Sequence, residues 1–303
     1  AGACAVLTDE QGAELIGDLP GPVVPVVVVD DPRALLGGLA ARAYGRPADR
    51  LQVIGVTGTN GKTTVAAMVD AGLRAGGRTT GVIGTVGIRI ADELHPGVRT
   101  TPEATDLHAT LAVMEEAGVD SVVMEVSSIA VREGRVDGLV LDICAFTNLS
   151  QDHLDYHGTM EAYFAAKAEL FTPERARRGI VGVDDEWGRR IAGLGSVPTQ
   201  TWSLLDAHAD WHAERGRRLE VVGPGDERTP IDVPLPGAYN VANAVCAFAV
   251  LRAAGVAPEA AAAGIASVRV PGRMEAVRSG TVLGIVDYAH TPDAVERALR
   301  AIR

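Results

Sequence analysis

The sequence predicts an α/β fold of the phosphate-loop type, with a mostly parallel sheet and flanking helices. From residue 51 onward, short β-branched runs alternate with longer amphipathic ones, which is typical of parallel strands joined by crossover helices. Two runs, Val119–Val126 and Leu139–Thr147, are almost continuously apolar, as expected for strands covered on both faces. A glycine-containing turn separates the first strand from the first helix, as in proteins that hold phosphate groups.

The predicted elements follow in a regular order. Strands are predicted over Leu51–Val56, Thr79–Thr85, Val119–Val126 and Leu139–Thr147. Helices are predicted over Lys62–Ala75, from Thr101 to about Ala117, and over residues 160–171, 240–254 and 258–266. Thr101 and Pro102 are residue types that favour the N-cap and the first position of a helix, so we expect the second helix to begin there.

Three regions depart from this alternation. Residues 196–236 are rich in proline, glycine and charge and contain short strand-like pieces, which predicts a small antiparallel insertion. Residues 1–50 hold about one helix and one strand, too little for a core of their own. The sequence ends inside a helix that begins near Pro292. We therefore expect both ends to be parts of domains that extend further.

The composition narrows the class of protein. The 303 residues include 28 Lys and Arg against 39 Asp and Glu, a formal charge of −11, which disfavours nucleic acid or an anionic membrane surface as partner. No apolar stretch approaches the length needed to span a bilayer, so no membrane insertion is expected. The three cysteines, Cys4, Cys144 and Cys246, show no metal-binding spacing and are expected to be reduced thiols. These features predict a cytoplasmic protein.

Only two of the basic residues are lysines, and the first lies in the glycine-containing turn. In VIGVTGTNGKTTVAAM, residues 53–68, the backbone amides and the helix N-terminus would form an anion cradle. Lys62 would reach the β and γ phosphates of a nucleotide, and Thr63 would offer a hydroxyl to magnesium. Gly58 and Gly61 carry the turn, although Val56 stands where the generic pattern has its first glycine. The alternative is an ordinary strand-to-helix turn.

The second lysine, Lys167, lies on an apolar helix face. Met160, Phe164 and Phe171 are spaced so that they share that face with the lysine. Burial would lower the pKa of the amine, and a neutral amine can take up carbon dioxide to form a carbamate, an anionic oxygen ligand for magnesium. The alternative is a lysine whose ammonium extends from the edge of the face into solvent.

Two further residues are candidate magnesium ligands. Glu125 ends an apolar strand at the carboxyl edge of the sheet, where open α/β folds place ligands. His153 follows another strand end, and together with a carbamate these side chains would complete a magnesium shell around ATP. Alternatively, His153 is a hydrogen-bonded loop histidine. Asp152, Asp155 and His157 are expected to be turn and capping residues.

The motifs TGTNGKTT, TTPEATD, MEVSS, TNLSQDHLDYHG, AAK, GAYNVANA, PGRME and DYAHTPD occur in the order found in the Mur ligases, which this sequence resembles. TTPE and DHLDYHG resemble most closely the type that attaches the third residue of the peptidoglycan stem to UDP-N-acetylmuramoyl-dipeptide. The resemblance covers residues 51–303 well and residues 1–50 loosely. It implies a central ATP-binding domain over residues 51–285. Residues 1–50 would be the remnant of a UDP-substrate-binding domain and linker, and residues 286–303 the start of a C-terminal domain.

The resemblance also implies a monomeric ATP- and magnesium-dependent ligase that works through an acyl phosphate. The ATP loop would comprise Gly58, Thr59, Asn60, Gly61, Lys62, Thr63 and Thr64. Magnesium would be organised by Thr63, Glu125, His153 and carbamylated Lys167. Further nucleotide contacts are implied for Asn240, Asn243, Arg273 and Asp287. The UDP-muramoyl substrate would be bound by Thr100, Thr101, Ser127 and Arg135. The incoming amino acid would be meso-diaminopimelate or lysine, of which we expect the first.

Some features favour other interpretations. Ile129 stands where the family usually has a histidine after MEVSS. With little sequence matching the N-terminal and C-terminal domains, we expect the 303-residue chain to bind ATP and to ligate little or not at all. The alternatives are a folylpolyglutamate-synthetase-like ligase, a kinase or switch NTPase, and a nucleotide-binding module without chemistry.

Overall fold

The computed structural model describes residues 3–17, 24–279, 282–290 and 292–302. Its strands are β1 (Val6–Thr8), β2 (Val26–Val28), β3 (Gln52–Thr57), β4 (Thr80–Gly84), β5 (Gly87–Ile90), β6 (Glu93–His95), β7 (Ser121–Glu125), β8 (Ile143–Phe146), β9 (Gly179–Gly182), β10 (Thr199–Ser203), β11 (Trp211–Arg215), β12 (Leu219–Gly223), β13 (Glu227–Pro230), β14 (Glu275–Ser279) and β15 (Val282–Val286). Its α-helices are α1 (Glu10–Gly17), α2 (Pro32–Ala43), α3 (Lys62–Ala75), α4 (Ala104–Glu116), α5 (Ser128–Arg132), α6 (Leu154–His157), α7 (Met160–Ala168), α8 (Glu186–Ala192), α9 (Ala238–Ala253), α10 (Pro258–Ser267) and α11 (Pro292–Ile302).

An eleven-stranded sheet organises the described residues. The strand order is β13-β12-β11-β10-β9-β8-β3-β7-β4-β5-β6. The strands from β11 to β4 in that order run parallel, and antiparallel pairs extend both edges. The predicted mostly parallel α/β sheet is therefore confirmed.

Helices cover both faces of this sheet. Along β3 the side chains alternate, so that Ile54 and Val56 join an apolar cluster with α3, α9 and α10. Val53 points to the opposite face, where α4 and α7 supply a second cluster that includes Leu111 and Phe164. This three-layer arrangement buries the central strands and places the loops that follow them at one carboxyl edge.

One local prediction was wrong, and the structure refines another. Thr101 does not cap a helix, because α4 begins at Ala104 and the Thr101 hydroxyl instead donates to the backbone carbonyl of Glu125 at 2.9 Å. Residues 196–236 contain the predicted small antiparallel part, the pairs β11-β12 and β12-β13. These strands continue the main sheet through β10 and extend its edge.

The N-terminal segment holds more structure than the sequence predicted. Instead of one helix and one strand, it contains the parallel pair β1-β2 together with α1 and α2. Helix α2 packs closely on a turn after α5, where a Cβ added to Gly37 would lie 2.2 Å from the carbonyl oxygen of Asp137. Within the described ranges, no helix combines the length and apolar content that crossing a bilayer requires.

Candidate active site

The turn between β3 and α3 requires glycine at two positions. Gly58 and Gly61 have φ angles of 139° and 89°, which side-chain-bearing residues rarely adopt. A Cβ on Gly58 would lie 1.9 Å from Thr147 Oγ1, and one on Gly61 would lie 2.3 Å from Asn243 Oδ1. The backbone therefore approaches its neighbours closely, and the first amides of α3 lie at the same turn. Such a turn suits phosphate oxygens.

Residues 147–150, which follow β8, hold this turn in place through hydrogen bonds. The backbone amide of Thr59 donates to the carbonyl of Asn148 at 2.8 Å, and the backbone amide of Asn60 donates to Asn148 Oδ1 at 3.1 Å. The Thr147 hydroxyl donates to the carbonyl of Asn60 at 2.7 Å, and the amide of Ser150 donates to the Thr59 hydroxyl at 3.0 Å. The sequence did not single out Thr147, Asn148 and Ser150, although their position after a buried strand was a usable signal.

Both lysines lie at the turn. The Lys62 ammonium donates to the carbonyl oxygens of Gly58 and Thr59 at 3.0 and 2.8 Å, and burial lowers its pKa. Lys167 is 1% exposed, and its Nζ also donates to the carbonyl of Gly58, at 2.9 Å. Burial holds the pKa of Lys167 well below its ordinary value, and the charge of Lys62 lowers it further. A lysine extending into solvent is therefore excluded for Lys167.

Tyr163, one turn before Lys167 on α7, was missed by the sequence reasoning. Its ring lies 4.7 Å below the Lys167 Nζ, and its hydroxyl lies 3.1 Å from Thr59 Oγ1. Burial raises the pKa of Tyr163 to about 12, so the phenol stays protonated. Its place on the lysine-bearing helix face was the signal available in the sequence.

Glu125 and Thr63 form a buried pair on the other side of the turn. Glu125 is 2% exposed, and its carboxylate accepts hydrogen bonds from the Thr63 hydroxyl at 3.0 Å and from the Thr85 amide at 2.8 Å. The guanidinium of Arg273 donates to Thr63 Oγ1 at 3.2 Å and stacks on the ring of Tyr288. Residues from three distant parts of the sequence thus meet at the Thr63 hydroxyl.

His153 is placed differently. It has a φ of 50°, its side chain is exposed, and its Nε2 lies 3.6 Å from Asp152 Oδ2. Among the contacts of the described residues, none joins His153 to Glu125 or Lys167. His157, which the sequence assigned to turn and capping roles, instead places its Nε2 2.9 Å from the Ser128 hydroxyl, and burial lowers its pKa.

The asparagines of α9 lie buried beside the turn. The side-chain Nδ2 of Asn240 donates to the carbonyl of Pro236 at 2.7 Å, and the side-chain Nδ2 of Asn243 donates to Asn240 Oδ1 at 3.1 Å. Asn243 also lies against Gly61, because a Cβ added to Gly61 would lie 2.3 Å from Asn243 Oδ1. Asp287 accepts backbone hydrogen bonds from Met274 and Ala289, both at 2.8 Å, and so fixes the chain next to Arg273.

The candidate substrate residues cluster around the end of β7. Besides its bond to Glu125, Thr101 Oγ1 accepts from the Ser127 amide at 3.2 Å, and the Thr100 hydroxyl lies 3.1 Å from that of Thr85. The Ser127 side chain caps α5 by accepting from the amide of Ala130. Arg135 is engaged by two glutamates, as described below.

The donor set fits magnesium better than a transition metal. In the part of the chain that the structure describes, no three His, Cys, Asp or Glu side chains are grouped to hold a metal ion. Thr63 and Glu125 do offer a hydroxyl and a carboxylate oxygen 3.0 Å apart. Magnesium takes oxygen ligands of this kind, one or two at a time, with the rest supplied by phosphates and water.

Comparison with known proteins identifies the family of this chain. The family model of the Mur ligase middle domain matches residues 56–251. The UDP-N-acetylmuramoyl-L-alanyl-D-glutamate–2,6-diaminopimelate ligase of Streptomyces avermitilis is 52% identical over 100% of this chain and 61% of its own. The ligase of the same name from Corynebacterium glutamicum is 46% identical over 99% of this chain and 60% of its own.

Solved structures agree in fold. A UDP-N-acetylmuramoyl-L-alanyl-D-glutamate–2,6-diaminopimelate ligase superposes with a TM-score of 0.81 at 28% identity, over 98% of this chain and 66% of that one. A Mycobacterium tuberculosis folylpolyglutamate synthase shares the fold at 20% identity and a TM-score of 0.71, over 96% of this chain and 72% of that one. The chain spans about three-fifths of the length of the curated relatives it matches. On the matched middle domain and these identities, the chain belongs to the Mur ligase family.

Proposed function

We propose that this chain belongs to an ATP-dependent amide ligase that adds the third amino acid, meso-diaminopimelate, to UDP-N-acetylmuramoyl-L-Ala-D-Glu in cytoplasmic peptidoglycan synthesis. The observation that carries the proposal is the meeting of Lys62, Lys167 and the Thr63–Glu125 pair around one glycine turn. The names of the relatives at 46 to 52% identity support the substrate. We also propose that the enzyme acts as a monomer.

The reaction has two displacements. The stem-peptide carboxylate attacks the γ-phosphorus of ATP and ADP leaves, which gives an acyl phosphate. The amine of the incoming amino acid then attacks the carbonyl carbon, phosphate leaves, and the amine loses a proton. Residues 58–64 would hold the phosphates through backbone amides, with Lys62 turning its ammonium from the loop carbonyls toward them. Most of the rate enhancement would come from positioning and charge neutralisation.

Magnesium would be held by Thr63, Glu125 and carbamylated Lys167, with His153 turned inward from its exposed position. When bound, the ion neutralises charge on the phosphates. Carbamylation of Lys167 would add carbon dioxide to the neutral amine with loss of one proton. The buried position of Lys167 beside a second lysine supports this change, because it disfavours the ammonium form.

The remaining candidates would bind the two substrates. Asn240, Asn243 and Arg273 would contact the nucleotide, and Asp287 would act by holding the backbone next to Arg273. The contacts of Asn243 with the turn and of Arg273 with Thr63 support these roles. The UDP-muramoyl substrate would be bound by Thr100, Thr101, Ser127 and Arg135.

We infer that residues 51–285 form the ATP-binding domain, with residues 1–50 belonging to the UDP-substrate domain and its linker, and residues 286–303 to a further domain. From this division we expect the 303-residue chain to bind ATP. A rise in melting temperature with ATP and magnesium, absent in Lys62→Met, tests that binding. An unchanged melting temperature would contradict it.

Ligation is tested by phosphate release. In a protein of the length of its relatives, we expect release to require UDP-N-acetylmuramoyl-L-Ala-D-Glu and meso-diaminopimelate together, and the 303-residue chain to release little. Lysine in place of diaminopimelate tests the amino acid. Release with a pteroate and glutamate instead would favour the folylpolyglutamate-type reaction, and no release with either pair would favour a binding module.

A further inference from the structure

Three arginine side chains surround the carboxylate of Glu103. Arg33 places its Nη2 3.0 Å from Oε2, and Arg99 donates to Oε1 at 2.5 Å. The Nε of Arg135 lies 3.0 Å from the same Oε1. The three arginines come from α2, from the segment before α4 and from the turn after α5, so they are distant in sequence. Glu103 is the shared ion-pair partner of all three.

The position of Glu103 is not explained by helix α4. The residue stands at the N-cap of α4 with extended backbone angles, yet its side chain makes no capping hydrogen bond. Glutamate is also not among the residues that favour this position. Because the carboxylate makes no hydrogen bond with the helix, its contacts with the arginines determine where it lies.

The arginines retain binding capacity that Glu103 does not use. Arg135 is only 11% exposed, and its Nη2 pairs with Glu133. Its Nε lies 3.0 Å from Glu103 Oε1 but without the geometry of a hydrogen bond, and it makes none with any other described residue. Three guanidinium groups therefore face two carboxylates. Guanidinium groups bind carboxylates and phosphates through paired N–H donors, and an anion held by several of them is bound specifically.

This cluster borders the candidate substrate residues. Thr100 and Thr101 lie in sequence between Arg99 and Glu103, and Arg135 Nη1 lies 3.5 Å from the carbonyl of Thr101. An anionic group of a substrate bound at these threonines would approach the same guanidinium groups. It would then compete with the Glu103 carboxylate for them.

We propose that Glu103 is an intramolecular competitor, which holds Arg33, Arg99 and Arg135 together in the free protein and is displaced by an anionic group of the substrate. The group has carboxylate or phosphate chemistry. The inference rests on the proposed function, because the UDP-muramoyl dipeptide carries both kinds of group. It adds Arg99 and, from the N-terminal segment, Arg33 to the substrate-binding residues, and it gives Glu103 a role opposed to binding.

The test is calorimetric titration of two compounds into the wild type, Glu103→Gln and Glu115→Gln, each in a protein of the length of its relatives. UDP carries phosphates without a carboxylate, and UDP-N-acetylmuramoyl-L-Ala-D-Glu carries both. Glutamine keeps the size of the side chain and removes its charge, so we expect Glu103→Gln to bind about 3- to 10-fold more tightly. Glu115 is the matched control, because it lies at the other end of α4, is equally 30% exposed, and pairs with Arg50.

The outcomes separate the inference from the proposed function. A gain with both compounds assigns the cluster to a phosphate, and a gain with the dipeptide compound alone assigns it to a carboxylate. Adding Arg33→Gln to Glu103→Gln should reverse the gain. Equal or weaker binding by Glu103→Gln in a chain that binds both compounds overturns the inference alone, whereas no binding by any variant overturns both. If Glu103→Gln does not fold, Glu103→Asp, with a shorter reach, should show a smaller gain, and no gain there overturns the inference.

Discussion

Lys62 and Lys167 donate hydrogen bonds to the same acceptor, the carbonyl oxygen of Gly58, at 3.0 and 2.9 Å. Their nitrogens are therefore no more than about 6 Å apart, a separation at which two unit charges repel by about 3 kcal/mol at an effective dielectric constant of 20. Burial lowers the pKa of both lysines, and that of Lys167, which is 1% exposed, lies well below its ordinary value. We therefore propose that Lys62 acts as the cation and that Lys167 is the lysine that is carbamylated.

The first prediction concerns the carbamate. With ¹³C-labelled bicarbonate, the wild type should show a carbamate resonance that disappears in Lys167→Arg, because a guanidinium group cannot be carbamylated. Lys62→Arg is the matched control and should keep the resonance. Since the chain has only these two lysines, the comparison leaves one other amine, the N-terminus, whose signal would be common to all variants. A resonance that persists in Lys167→Arg would assign the carbamate elsewhere.

The second prediction is a pH dependence of stability without carbon dioxide. The folded-state pKa of Lys167 lies well below the unfolded value. Between those two values the unfolded chain binds a proton that the folded chain does not, so raising the pH favours folding. From pH 8 to 10, the free energy of unfolding of the wild type should rise relative to Lys167→Met, by up to about 1.4 kcal/mol per pH unit. Urea unfolding in degassed buffer measures the difference, and parallel curves would mean that the amine keeps its proton when folded.

The third prediction separates backbone strain from close approach. Gly61 and Gly77 have nearly equal φ angles, 89° and 83°, but a Cβ on Gly77 would meet nothing within 4 Å, whereas one on Gly61 would meet Asn243. Gly77→Ala should cost about 1 to 2 kcal/mol of stability and leave the melting shift with ATP unchanged. Gly61→Ala should cost more and lose that shift. Equal effects of the two substitutions on ATP binding would show that the contact with Asn243 does not matter.

Local signals explain which parts of the structure the sequence predicted. The bounds of α3, Lys62–Ala75, agree with the prediction, because a glycine turn begins the helix and its apolar spacing continues to the end. Spacing within one helix placed Lys167 on an apolar face but left open whether its ammonium was buried, which the structure decides. What the sequence could not provide was pairing between distant segments. Thr101 is of a residue type that caps helices, but its hydroxyl bonds the carbonyl of Glu125. Strands β10 to β13 join the main sheet because β10 pairs with β9, a contact that residue spacing does not show.

The same limit applies to the candidate site. The order of the motifs made Glu125 and Thr63 candidate magnesium ligands, and the structure places them in contact. The side-chain direction of His153 is set by a positive φ and by Asp152, neither of which is visible in residue spacing. The contact of Arg273 with Thr63 spans 210 positions and depends on the whole domain.

The last prediction concerns the hydroxyl of Tyr163, which joins α7 to the glycine turn through Thr59. Tyr163→Phe keeps the ring beneath Lys167 and removes only this bond, so we expect a loss of about 1 kcal/mol of stability and weaker ATP binding at an unchanged carbamate resonance. Tyr156→Phe is the matched control, because Tyr156 is exposed and its ring, like that of Tyr163, lies about 5 Å from the ring of His157. Urea unfolding and the melting shift with ATP measure the two effects. If both tyrosine variants behaved like the wild type, the turn would be held by the segment after β8 alone, since the Asn148 and Thr147 bonds would then suffice to fix Thr59 and Asn60.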